Sequence, residues 1–172
     1  MKTLKPLYAI VGVAAVAVVT AVLTSAGPVA AHCQIPCGIY DDGMRFTMLK
    51  EHITTIEKSM NEITELSADP SANANQLIRW VMNKEDHADA FAEIVTAYFL
   101  QQRVKPTEAR SGEEWDQYTL KLRLCHEMLV TSMKAKQTTD LQNVEKLRTL
   151  VDEFMHAYFT PEELEHYQEH AH

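Results

Sequence analysis

The chain has 172 residues, enough for one domain with a hydrophobic core and an appendage, and its 5 glycines and 6 prolines favour helices over a turn-rich β structure. Its net charge of −8 argues against nucleic acid as a partner, because phosphate binding needs a basic surface. Three cysteines, an odd number, argue against a disulfide scaffold.

Residues 1–31 are typical of an export leader. Two lysines give a positive start, a run dominated by Ala and Val spans residues 7–23, and small residues before position 32 offer a cleavage site. Cleavage after Ala31 would make His32 the N-terminus and leave 14 basic against 24 acidic residues, a net charge of −10. We therefore expect export to the periplasm or the extracellular space, with membrane contact only through the leader. The alternative is an uncleaved anchor, although 17 residues lie at the short limit for a spanning helix.

Residues 32–40, called the hook below, read His-Cys-Gln-Ile-Pro-Cys-Gly-Ile-Tyr and precede every amphipathic pattern. Thiolates of Cys33 and Cys37 would suit zinc, copper or nickel, but a structural zinc site usually needs four side-chain ligands. With His32 as N-terminus, its amine, the amide nitrogen of Cys33 and both thiolates could form a planar set typical of Ni(II) or Cu(II), with the imidazole as an axial ligand. The alternative is a disulfide between the two cysteines.

Helical patterns fill the rest of the chain. Apolar residues recur at spacings of three and four over residues 42–66, 74–102, 111–134 and 139–158, and a last short helix starts near Thr160. No segment predicts a strand. The prediction is therefore an all-α fold, a four-helix bundle with a short C-terminal helix and tail.

These patterns divide the chain into a leader (1–31), the hook (32–40) and the bundle (41–172). Ser111 with Glu114, and Thr160 with Glu163, have the spacing of N-terminal capping boxes.

We expect the apolar stripes to form the core. They include Leu77, Ile78 and Val81 in the second helix and Cys125 and Met133 in the third.

Histidines outside the hook show no pattern that predicts a second metal site. His52 and His87 belong to no His-x-x-x-His or Glu-x-x-His pair. His166, His170 and His172 are expected to lie in a frayed, solvated tail, and metal capture by them is the alternative.

The pattern His-Cys-x-x-Pro-Cys-Gly-x-Tyr resembles the metal-binding hook of nickel-containing superoxide dismutases, and residues 32–40 match every fixed position. The resemblance implies a right-handed four-helix bundle, a homohexamer and one nickel ion per subunit. It implies that superoxide is converted to oxygen and hydrogen peroxide through Ni(II)/Ni(III) cycling. It also implies that His32, Cys33 and Cys37 bind nickel and that Tyr40 lines the approach of the substrate. Cleavage by a dedicated peptidase in the cytoplasm is the alternative that related enzymes suggest.

Two further hook residues have structural roles in this interpretation. Pro36 fixes its φ angle and lacks an N–H, and Gly38 permits a close backbone approach or a positive φ.

One position departs from the family's pattern. The family often orients the axial imidazole with a carboxylate on the first helix, backed by an arginine, whereas residues 45–48 here read Arg-Phe-Thr-Met. Glu51, Arg79 and His87 are the candidates for this support, which fixes the orientation of a ligand.

Two other functions stay open: a non-enzymatic metal-binding or delivery module, and a membrane-anchored helical protein with a disulfide.

Overall fold

The computed structural model describes residues 42–170, and their side chains up to residue 169. The leader and the hook lie outside the described residues. Five helices follow one another without a strand in this part of the chain, so the predicted all-α class is confirmed. They are α1 (Asp42–Leu66), α2 (Pro70–Glu93, continued by a π-helical segment, Ile94–Arg103), α3 (Glu113–Gln137), α4 (Gln142–Tyr158) and α5 (Pro161–His170).

The first residues of α2 and α3 differ from the predicted ones, and the capping residues explain both differences. α2 begins at Pro70 rather than near residue 74, because the Asp69 carboxylate accepts a hydrogen bond from the Ala72 N–H at 3.1 Å. The capping box predicted at Ser111 is wrong. α3 begins at Glu113, after Gly112, whose φ of +84° favours glycine.

The second predicted capping box is confirmed. The Thr160 N–H donates to Glu163 Oε2 at 2.9 Å, and the Glu163 N–H donates to the Thr160 hydroxyl at 3.3 Å. With Pro161 at the first helical position, this box starts α5.

The π-helical segment ends α2 with wider turns than an α-helix has. Its last hydrogen bond runs from the Val104 N–H to the Phe99 carbonyl five residues earlier, at 2.8 Å. The wider turns place Tyr98, Phe99 and Arg103 beside the start of α1. Such π segments are rare and are found frequently at functional sites.

An aromatic cluster closes the core beside the start of α1. Phe46, Phe99 and Phe154, each fully buried, come from α1, the π segment and α4, with ring centroids 5.0–5.6 Å apart. Tyr158 and Phe159 extend the cluster to the end of α4. This packing holds α1, the π segment and α4 together near the start of α1.

Several expectations about burial are corrected. Ile78, Val81 and Met133 were expected in the core, but they are 62%, 41% and 46% exposed. Cys125 is fully buried, as predicted. None of the described helices combines the length and apolar character that a membrane span requires.

Candidate metal centre

The predicted nickel ligands His32, Cys33 and Cys37 lie outside the described residues, as do Tyr40, Pro36 and Gly38. Their assignment therefore stays a prediction. Between residues 42 and 170 no group of three or more His, Cys, Asp or Glu side chains is placed to hold a metal ion. Any such site in the described part would need fewer protein ligands.

The donor chemistry agrees with nickel at the hook. Cys125 is the one cysteine in the described part of the chain, and burial raises the pKa of its thiol to about 12. It stays protonated at neutral pH, so it cannot act as a thiolate ligand. Cys33 and Cys37 therefore stay the predicted thiolate ligands of a nickel ion.

Asp42 lies two residues after Tyr40 and holds the start of α1 to two other elements. Its Oδ2 accepts a hydrogen bond from the Tyr158 hydroxyl at 2.6 Å, and its Oδ1 accepts one from Arg103 Nε at 2.9 Å. The Tyr98 hydroxyl and Arg103 Nη2 also donate to Oδ1. Because the donors come from the π segment and α4, the carboxylate holds the start of α1 to both elements.

The protonation states in this cluster are well defined. Burial alone would raise the pKa of Asp42, but hydrogen bonds from Tyr158, Tyr98 and Arg103 outweigh it and lower that pKa. Burial and the bond to Asp42 raise the pKa of Tyr158. At neutral pH the carboxylate is therefore charged and the tyrosine keeps its proton.

Arg45 brings a second cation to this end of the molecule. Its guanidinium lies over the Tyr98 ring, 4.9 Å from the centroid, and its Nη1 lies 3.5 Å from the Met48 sulfur. Its Nε is buried and has no hydrogen-bond partner, and no carboxylate pairs with it among residues 42–170. Arg103, by contrast, pairs with Asp42.

The α5 helix contributes to a groove beside Asp42. Tyr167 stacks on Phe159, and its hydroxyl lies 3.2 Å from the Thr47 hydroxyl of α1. The groove has a volume of about 470 Å³ and includes Asp42, Arg103, Glu162, Glu163, His166 and Tyr167. The expectation that His166 lies in a frayed tail is wrong, because it belongs to α5. The His170 side chain and residue His172 lie outside the description.

The candidates for supporting the His32 imidazole fall in different places. Glu51 and His87 line one open groove between α1, α2 and α4. Arg79 is exposed in the first half of α2. The groove of Glu51 and His87 also includes Thr47 and Tyr167, and Tyr167 lines the groove beside Asp42 as well.

A pair of histidines was missed by the sequence analysis. His52 on α1 and His87 on α2 bring their Nδ1 atoms to 2.9 Å. Sequence spacing could not find the pair, because its members lie 35 residues apart on different helices.

Comparison with known protein families identifies one family. The family model described as nickel-containing superoxide dismutase matches residues 27–169, which includes the hook and nearly all of the described helices. No curated protein and no solved structure matches the chain significantly.

Proposed function

The chain belongs to the nickel-containing superoxide dismutase family, and we propose that cleavage after Ala31 creates its nickel site at the hook. The family makes the chain an oxidoreductase that acts on superoxide and uses nickel. In this proposal His32, Cys33 and Cys37 bind one nickel ion per subunit. A four-helix bundle formed by α1 to α4 carries the hook.

The observation that carries this proposal is the donor set at the new N-terminus. Only as the first residue does His32 offer an amine, an imidazole and the adjacent Cys33 amide to the same metal ion. When bound, the nickel ion would supply one-electron chemistry by alternating between Ni(II) and Ni(III). Anionic thiolate and amide donors favour the higher charge of the oxidised metal.

The cluster around Asp42 supports the hook mechanically. Four hydrogen bonds from Tyr98, Tyr158 and Arg103 hold this carboxylate two residues after Tyr40. A metal-binding segment needs a fixed point of attachment, because loose ligands lose their geometry. We propose that Tyr40 lines the approach of superoxide in front of this anchor.

Arg45 supports the attraction of an anionic substrate. The proposed mature chain carries a net charge of −10, which by itself repels superoxide. A cation can oppose this field locally, and Arg45, three residues after Asp42, has no carboxylate partner between residues 42 and 169. The net charge therefore does not argue against the proposed reaction.

Exposed apolar side chains support assembly into a homohexamer. Ile78, Val81 and Met82 on α2 and Met133 on α3 are 41–62% exposed. Exposed apolar patches often mark protein interfaces. We propose that part of this surface is buried between copies of the chain, and that the mature enzyme is exported.

Three measurements test the nickel site. N-terminal sequencing of the mature protein should find His32 first, and elemental analysis should find one nickel per chain. Cys33→Ser and Cys37→Ser should each abolish nickel binding and superoxide turnover while the helical circular dichroism stays unchanged. Cys125→Ala is the matched control, because it removes a thiol outside the hook, and it should keep both nickel and turnover.

The alternatives give different results. Nickel without turnover in correctly processed protein would indicate a metal-binding or delivery module. A Cys33–Cys37 disulfide in a chain that keeps its leader would indicate the anchored protein. Nickel retained at full occupancy in either serine variant would overturn the ligand assignment.

A further inference from the structure

His52 and His87 form a close pair at the packed faces of α1 and α2. Their Nδ1 atoms are 2.9 Å apart, their ring centroids are 5.1 Å apart, and their planes meet at 60°. Both side chains are half-buried and line an open groove of about 1020 Å³. His52 lies ten residues after Asp42 on the same helix, or about 15 Å along its axis, so the pair is separate from the start of α1.

Two arrangements fit a nitrogen–nitrogen distance of 2.9 Å. One is a hydrogen bond between neutral imidazoles of opposite tautomers. The other is a pair of ligands to one ion, because a metal about 2.0–2.1 Å from each nitrogen would see them at about 90°. That angle is the cis angle of octahedral coordination, which two imidazoles completed by water can give, and a small separation of the two nitrogens opens it toward the tetrahedral angle that zinc prefers.

The surroundings of the pair favour metal binding in two ways. Burial and the neighbouring His87 lower the pKa of His52, so at neutral pH its imidazole is neutral, the form that binds metals. The Glu51 carboxylate lines the same groove, and its charge acts on His52 in the opposite sense, favouring a cation there. A divalent ion would therefore meet the neutral imidazole of His52, the adjacent Nδ1 of His87 and a nearby negative charge.

We propose that His52 and His87 form an auxiliary site for a divalent transition-metal ion, with ligands other than those proposed for nickel. Two imidazoles are the protein ligands, and water fills the remaining positions, since the described residues supply no third ligand. With only two protein ligands, the site binds metal more weakly than the hook does. A metal ion bound at this site joins α1 to α2.

Zinc titration of the nickel-loaded mature enzyme tests the proposal, because the hook is then occupied. Calorimetry should find one added zinc equivalent per chain, and His52→Gln and His87→Gln should each lose it while keeping their nickel. His126→Gln is the matched control, since His126 is an exposed histidine on α3 outside this groove. The double variant His170→Gln/His172→Gln controls for capture by the C-terminal histidines. Both controls should keep the equivalent.

A second measurement needs no histidine variant. X-ray absorption at the zinc edge of the titrated enzyme should show two imidazole nitrogens at about 2.0–2.1 Å. Absence of the added equivalent, or its full retention in both His52→Gln and His87→Gln, would show that the pair is only a hydrogen bond. The nickel content, measured separately, reports on the hook, so failure at one site is distinguishable from failure at the other.

Discussion

Asp42 is the residue proposed to anchor the hook, and its side chain is only 19% exposed, less than those of the surface ion pairs. Asp42→Asn would leave the Arg103 guanidinium without its charge partner and would weaken the bonds from Tyr98 and Tyr158. Because the carboxylate is mostly buried, we expect the free energy of unfolding to fall by about 1–3 kcal/mol. Urea denaturation measures this. Turnover should fall as well, since the anchor of the hook loosens.

The matched control for Asp42 is Asp152→Asn. Asp152 pairs with Lys50 at 3.2 Å, but both side chains are about half exposed. A solvated pair contributes little, so this variant should change stability by less than about 0.5 kcal/mol. Equal effects of the two variants would contradict the anchoring role of Asp42.

Arg45 gives a prediction about rate rather than stability. Its charge has no carboxylate partner in the described part of the chain and is proposed to draw superoxide toward the hook, so Arg45→Gln should lower kcat/KM by up to about tenfold at low ionic strength. The difference from the unmodified enzyme should shrink as salt is added. Arg110→Gln removes the same charge from an exposed loop residue and should leave kcat/KM unchanged. A salt-independent loss in Arg45→Gln would instead indicate a structural role.

His52 makes stability depend on pH. Its pKa in the folded chain lies below the ordinary value of 6.5, so between these two values the unfolded chain binds more protons. The contribution of the neutral imidazole is complete above pH 6.5 and is lost as the pH falls toward the folded pKa. Urea denaturation without added zinc should show this slope. His52→Gln should flatten it, whereas His126→Gln should not.

At the scale of the helices, buried Lys84 joins α2 to the end of α3. Its Nζ donates to the Lys136 and Thr138 carbonyls at 2.5 and 3.0 Å, where α3 ends and the helix dipole favours a cation. Lys84→Met should keep the packing of the aliphatic side chain but leave the two carbonyls without the hydrogen bonds that Nζ donates. We expect the free energy of unfolding to fall by about 1–3 kcal/mol. Lys134→Met, at an exposed position of α3, should cost far less in the same assay.

Periodicity predicted the helices well because their apolar residues recur every three or four positions. It placed α1 correctly, and the spacing of Thr160 and Glu163 found the capping box of α5. It could not find the π-helical segment, whose wider turns depend on packing against α1 and α4. It also missed the contacts of Lys84, because these carbonyls lie more than 50 residues away.

The candidate site also contains parts that the sequence predicts and parts that depend on helix packing. The hook is a local sequence pattern, so nine consecutive residues were enough to predict the family, which the family match confirms. The anchor of Asp42 and the pair of His52 with His87 each join residues that are far apart in sequence. Such contacts arise only when the helices pack, and no spacing rule encodes them.

At the scale of the whole molecule, the exposed apolar residues of α2 predict self-association. Ile78 and Met82 lie four residues apart on one helix face, and both are more than half exposed. A double variant, Ile78→Glu/Met82→Glu, should separate the assembly into smaller species, because burying two carboxylates at an interface is costly. Since both positions are exposed in the single chain, its helical circular dichroism should not change. Native mass spectrometry measures the mass of the assembly.

Asn75→Glu is the control, because Asn75 is an exposed polar residue on the same helix, and it should leave the mass of the assembly unchanged. An assembly of full size in the double variant would place the interface elsewhere on the chain.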